Sequence, residues 1–377
     1  MPNVAVELEN VSTGVKQTAN TNQSGIYRFN NVPIGVYRVI SAANGFAGMK
    51  VENVSVELNR VTTVNLSLQV ANVSSTVEVI AAAAPIDTTT AQVQSTFSSK
   101  TIVDMPMAAV GLGPLNVSLL SAGVASSGGT GLGEGPSVGG QRPRNNTFNV
   151  EGVDNNRRDV TGSNLRIPNE ATAEVTILQN QFSAEFGHSG GGVFNTVVRS
   201  GSNDIHGSAY EYFQNRNLNA LDESLARQGT YSNPRFDDNR LGGSVGGPIF
   251  KNRLFYYGLF EYQPIGQAAS PAAATFAPTD AGYQQLAAIQ GLSQTNLNIL
   301  KQYAGSAPSA VDTTSVKGVN IPIGILPISL PTWQNNYRWV VSGDYNMTSA
   351  DQLRVRLLSN KTAGISPTAA IPASVAG

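Results

Sequence analysis

The sequence predicts a mainly β chain in three parts: a small N-terminal β-sandwich, an α+β middle part, and the first strands of an antiparallel sheet suited to a transmembrane β-barrel. Three observations predict it. Near the N-terminus apolar residues fall at every second position, as in Val4, Val6, Leu8 and in Val54, Val56, Leu58, which is the spacing of strands buried on one face. Beyond His206 the strands lengthen and become aromatic, with Tyr337, Trp339, Val341, Gly343, Tyr345 and Met347 alternating against Asn336, Arg338, Ser342, Asp344 and Asn346. One such face, on which Tyr210, Tyr256, Phe260, Trp339 and Tyr345 are expected, suits lipid and the other a wet interior. Charged residues make up only 13% of the 377, well under the quarter usual in soluble domains.

Composition excludes several functions. Lys plus Arg (24) and Asp plus Glu (25) nearly cancel, so nothing favours nucleic acid or an anionic surface as partner. The absence of cysteine removes disulfides, thiolate metal sites and thiol nucleophiles. No apolar run approaches the ~18 residues of a spanning helix. Met1 leads directly into NVAVELEN, with no basic start or apolar core of a signal peptide; an exported protein is expected to carry more sequence upstream.

In the first part, SGIYRFNNVPIGVYRV sets Tyr27, Phe29, Tyr37 and Val39 toward one core, with Pro33 to Gly35 as the turn. Residues 71–90 lose aromatics and gain Ala, Ser and Thr. They read as a linker with one short extended element, Thr76 to Ile80, either the last strand of the sandwich or a detachable segment. In the middle part TIVDMP precedes LGPLNVSLLSAGV, which sets Leu115, Leu119 and Leu120 on one helical face. Thr147 to Val150 reads as a strand, with Glu151 and Gly152 as a turn. Glu174 to Leu178 and Val193 to Arg199 read as two further strands around SAEFGHSGGG, whose glycines 190 to 192 permit close backbone approach. The GGTGLGEG run lacks the Gly-Lys-Ser/Thr of a phosphate loop. Asp154, Asn155, Asn156 and Asp159 miss the spacing of a calcium loop, and His188 has no acid or serine partner.

In the last part the connections alternate: long (Arg216 to Phe236), tight (Phe250 to Asn252), very long (Pro264 to Gln334) and short (Thr348 to Ala350). That is the loop pattern of an outer-membrane barrel. Asp280 to Tyr303 inside the longest loop has helical character. About five strands are expected here, against ~22 in a closed plugged transporter, so further strands are expected beyond Gly377.

Two resemblances rest on these blocks. GIYRF followed by PIGVY resembles the signature of the carboxypeptidase-regulatory-like domain, a prealbumin-like or carbohydrate-binding-like sandwich. In that family another strand precedes the turn of which Pro2 and Asn3 look like the remnant. Peptidase activity is not implied, because His188 and His206 lack zinc-ligand spacing. SVGGQRPRNNTFNVEGVDNN, then SAEFG, GGVFN and VRSG, then RLGGSVGGPIFKNRLFYYGLFEY resemble, in that order, blocks of the TonB-dependent outer-membrane receptors, nearest the Oar-like subfamily.

The resemblance implies a domain plan: sandwich at 1–70, linker at 71–90, plug domain at 91–202, and barrel from 203 to 377 with extracellular loops 216–236 and 264–334. It implies a TonB box at Thr76, Val77, Glu78, Val79 and Ile80, since TVEVIA resembles the segment before such plugs. It also implies plug arginines, Arg142 and Arg144, that meet barrel carboxylates. The function it implies is uptake energised by TonB, with outer-membrane lipid as surroundings, periplasmic N-terminal domains and a siderophore, vitamin, glycan or peptide as ligand. No enzyme activity, cofactor or metal is expected. The alternative is an adhesion or carbohydrate-binding surface protein without transport.

Overall fold

The structure is a computed structural model that describes residues 1–70, 91–105, 113–126, 135–159, 162–187, 189–221, 223, 233, 235–269, 275–326, 330–348 and 351–365, together with the backbone of 77–80. It divides into two compact units, one of Met1–Tyr210, Gly242–Glu261 and Arg338–Asn360, the other of Glu211–Leu241, Tyr262–Tyr337 and Lys361–Gly377.

The first unit opens with β1 (Ala5–Asn10), β2 (Lys16–Asn20), β3 (Gly35–Ala42), β4 (Met49–Val56) and β5 (Val77–Ile80), one sheet in the order β2-β1-β3-β4-β5. Val6, Leu8, Tyr37, Val39, Val51 and Val54 form its core, and Tyr27, Phe29, Val64 and Leu66 pack against them, as the period-two pattern predicts. The covering segments are extended but unladdered; the Tyr27 hydroxyl ties them together by donating to Val64 O at 2.7 Å.

The middle part holds β6 (Val93–Ser98), α1 (Ser99–Asp104), a 3-10 helix at Gly113–Leu120, β7 (Val124–Ala125), β8 (Ser137–Val138), β9 (Thr147–Val150), β10 (Val153–Asp154), β11 (Thr172–Asn180) and β12 (Val193–Val198). Its five-stranded sheet runs β10-β9-β12-β11-β6, with β12 parallel to β9 and antiparallel to β11. All six residues of β12 are buried. Its Phe194 packs with Ile102, Leu115, Val117, Phe148 and Ile177; further along, Val150, Ile167, Ala171 and Val198 pack with Tyr257, Leu259 and Val340 of the last part. The predicted leucine face is corrected here: in the tighter 3-10 winding Leu115 is buried, whereas Leu119 and Leu120 are exposed.

The last part contributes β13 (His206–Asn215), β14 (Phe236–Phe250) and β15 (Leu254–Ala269). In the second unit the long connection then forms a small α/β module: β16 (Phe276–Pro278), α2 (Asp280–Ala288), α3 (Gln294–Ala304), β17 (Asp312–Val316) and β18 (Val319–Ile325). Its core is Tyr283, Leu286 and Ile321. The predicted helical stretch is two helices, broken at Gly291 (φ +79) and restarted by Ser293, whose side chain accepts from Asn296 N. β19 (Leu330–Asn346) and β20 (Gln352–Ile365) complete a five-stranded sheet in the order β13-β14-β15-β19-β20. The strands of this sheet are adjacent in sequence order, as the connection lengths predict. Their antiparallel sense is visible where Arg253 O accepts from Asn346 N and Glu261 meets Arg338.

Candidate functional site: the covered face of the long sheet

In the first unit, alternation decides which side chains of the long sheet meet the middle part. On β15, Phe255, Tyr257, Leu259 and Glu261 are buried. On β19, Val340 and Ser342 are buried, whereas Trp339 is 51% exposed and Val341 47%. The Phe260 and Trp339 rings lie on the opposite face with centroids 4.1 Å apart. One position departs from the expected outward set. Tyr210 points to the covered face, where its hydroxyl donates to Glu261 Oε2 at 2.9 Å.

Polar groups on the covered face reach into the middle part. The Tyr257 hydroxyl donates to Glu170 O at 2.9 Å, and Asn360 Nδ2 to Arg166 O at 3.0 Å. The Arg356 guanidinium joins two carboxylates, with Nε 2.8 Å from Glu151 Oε1 and Nη2 2.8 Å from Asp344 Oδ1. Asp344 also accepts from the Ser200 hydroxyl. The three charged side chains are only 13–15% exposed, so loss of one partner would strand charge away from water.

Local structure aims the Glu151 carboxylate. Glu151 and Gly152 make the two-residue turn between β9 and β10 with φ of +49° and +84°, the signs of a primed hairpin turn. A glutamate in this left-handed region costs on the order of 1 kcal/mol. Its longer side chain spans to Arg356 and accepts from Val198 N at 3.3 Å. The sequence marks Glu151 as a turn residue, and nothing in it pairs Glu151 with Arg356. The signal available was a pair of arginines, Arg354 and Arg356, alternating with apolar Leu353, Val355 and Leu357.

Arg142 and Arg144 flank Pro143 in a short 3-10 turn; both are exposed, and neither makes an ion pair among the described residues. Thr76, like His188 and the GGTGLGE stretch, lies outside the described residues. Val77 to Ile80 form β5, parallel to β4. Among the described residues no cluster of His, Cys, Asp and Glu could hold a metal ion.

Two contacts hold the N-terminal domain in its unit. Asn203 donates from its backbone N to Ser12 O at 3.0 Å, and its amide donates to Thr13 O and to Asn252 Oδ1, each at 2.6 Å. Gly14 (φ +67) sits so close that a Cβ there would strike the Asn252 side chain. The second contact is a cluster in which Leu58 N donates to Glu174 Oε1 at 2.9 Å, Gln92 Nε2 to Asn59 O at 3.1 Å and Gln94 Nε2 to Leu58 O at 3.5 Å. Burial pushes the Glu174 carboxyl above its ordinary range, the Leu58 and Thr176 hydrogen bonds oppose the shift, and Glu57 adds to it.

A long aromatic-faced antiparallel sheet preceded by a small β-domain is the arrangement expected at the start of an outer-membrane β-barrel with an N-terminal accessory domain. Residues 197–376 match the family described as outer membrane beta barrel domain, and residues 1–69 match the carboxypeptidase regulatory-like domain. In particular, the chain is similar to the TonB-dependent transporter Oar of Myxococcus xanthus, 29% identical over 254 residues that make up 65% of this chain and 24% of that protein. It therefore spans about a quarter of the length of this relative. Among solved structures it is similar to the siderophore receptor PirA of Acinetobacter baumannii, with TM-score 0.44 and 16% identity over 73% of this chain and 32% of that one. The ferric enterobactin receptor PfeA of Pseudomonas aeruginosa gives TM-score 0.42 and 13% identity over 73% and 33% of the two chains. These relations put the chain in the bacterial outer membrane.

Proposed function

We propose that this chain belongs to an importer energised by TonB, in which residues 91–202 are the plug and Val77 to Ile80, with Thr76, the segment that TonB grips. The observation that carries the reading is the Arg356 clamp. A sheet arginine holds a carboxylate of the middle part beside one of its own, so the middle part is fastened to the wall by contacts that a pull can break and that can form again. The middle part also covers the face of the sheet that alternation makes the inner one. In this reading the N-terminal domain is periplasmic, outer-membrane lipid meets Trp339 and Val341, and an extracellular ligand meets the connections at 216–236 and 264–334. Arg142 and Arg144, exposed in this state, remain candidates for a wall contact in another plug position.

The test is Val77→Pro, which removes a ladder donor and fixes φ. It is expected to abolish uptake in cells while leaving surface ligand binding intact. Undiminished uptake would place the gripped segment elsewhere or favour a surface-binding role.

A further inference from the structure

The N-terminal domain meets the rest of its unit through two turns, and the two land on different parts. The turn between β1 and β2 is shaped from within: Asn10 Oδ1 accepts from Ser12 N at 3.0 Å and from Thr13 N at 2.9 Å, which leaves the Ser12 and Thr13 carbonyls to accept from Asn203. Asn203 stands where the chain enters the long sheet. Asn252, in the turn between β14 and β15, donates its backbone N to Asn203 Oδ1 at 2.8 Å. The second turn, Leu58 and Asn59 with Asn59 at φ +57, lies on the middle part, between Glu174 of β11 and Gln92 and Gln94 at the start of β6. The domain's core cluster draws on no residue beyond Leu66. Beside the two turns opens a cleft of about 2200 Å³, lined by residues of all three parts, Arg60, Glu151 and Arg356 among them.

We propose that the N-terminal domain is a strap that ties the middle part to the long sheet, a second fastening beside the Arg356 clamp. One turn holds the middle part and the other holds the sheet, so the middle part leaves the covered face only when one of the two joints opens. Each joint rests on a few hydrogen bonds and not on a shared apolar core, which suits a fastening that opens and re-forms. While one joint is open the other keeps the domain near, and re-closure is an intramolecular step at high effective concentration. The joints lie in series, whereas strap and clamp lie in parallel. Removal of either joint therefore removes the whole strap, and removal of the second adds nothing. The strap acts in the same way whichever segment is pulled.

The chain contains no cysteine, so a lone Ser342→Cys, at a position 1% exposed on the covered face, takes up a thiol reagent only as the middle part lifts. Its labelling rate is read on the full chain in detergent micelles, in urea below the unfolding midpoint. Gly14→Ala opens the sheet joint, because its Cβ would strike the Asn252 side chain and come within 3.0 Å of Asn203 Nδ2. Gln92→Ala with Gln94→Ala opens the other joint. Each set is expected to speed labelling at least about fivefold, and the two together to exceed either alone by less than about twofold. Unchanged labelling in either set would overturn the proposal; so would factors that multiply in the combination, since the joints would then be independent fastenings. Ser41→Cys, 1% exposed inside the N-terminal domain, is the companion reporter and is expected to label at its unsubstituted rate in both sets. Equal acceleration at positions 41 and 342 would also overturn the proposal, because the whole unit would then be loosening.

Discussion

The Arg356 side chain has the most to lose by substitution. Replacing it with methionine keeps much of the aliphatic stem but leaves Glu151 and Asp344 nearly buried without their cation. Breaking one side of such a pair costs about 3–5 kcal/mol, whereas neutralising every partner costs far less. Arg356→Met is therefore expected to lower the urea midpoint for release of the middle part, and adding Glu151→Gln and Asp344→Asn to recover most of the loss. A triple variant no better than the single one would mean that the charges are not coupled. Glu174 behaves differently, because burial raises its folded-state pKa. A raised carboxyl pKa favours the folded state below the unfolded value and loses that contribution as pH rises through the folded one. The burial of Glu174 at the Leu58 contact is thus expected to weaken from acid toward neutral pH, with the Leu58 and Thr176 hydrogen bonds offsetting only part of the loss. Glu174→Gln keeps an acceptor oxygen and should flatten that dependence, as read from hydrogen exchange at the Leu58 amide; an unchanged profile would assign the effect to another group.

Among the elements, the strands were the most legible and the helices the least. Thr147 to Val150 is β9 to the residue, and the core residues Val6, Leu8, Tyr37 and Val39 follow from period-two spacing. The same spacing gave the faces of β19, where both faces are written in contrasting residue types. It misplaced Tyr210, because a tyrosine suits a lipid interface and an inner hydroxyl contact equally well. The 3-10 helix was misread since Leu115, Leu119 and Leu120 suit an α-helical period, and the i+3 winding that exposes two of them leaves no mark in composition. What joins the elements was invisible: Gly201 sits where a Cβ would meet Tyr256 O and, at 2.7 Å, Gly247 O. That contact requires knowing that β14 and β15 run past the end of the middle part. Gly201→Ala is accordingly expected to push this junction off the sheet and speed tryptic cleavage after Arg199. Cleavage at the unsubstituted rate would show that the strands yield instead.

At the scale of the whole molecule, the N-terminal domain and the middle part own their cores, while the long sheet does not. The clusters around Val39 and around Ile177 draw on residues before 200 alone. The covered face of the long sheet is shared, since Val150, Ile167, Ala171 and Val198 pack with Tyr257, Leu259 and Val340. The sheet's other face carries Trp339, Val341, Val355 and Leu357, with Leu357 64% exposed, and β13 and β20 have no outer neighbour among the described residues. In water such edges and such a face favour association, and lipid cannot satisfy unpaired edge groups. Expressed separately, residues 1–202 are expected to fold and to bind a hydrophobic dye through the four uncovered residues. Residues 205–377 are expected to aggregate without detergent and to conduct no ions in planar bilayers. The sequence plan of sandwich, middle part and barrel supports this division, but not the apolar patch uncovered on 1–202, whose covering side chains lie more than fifty residues away along the chain. Light scattering and equilibrium unfolding decide the matter. A monomeric, cooperatively unfolding 205–377 in plain buffer would mean that the aromatic face is packed within the sheet's own part of the chain and does not meet lipid.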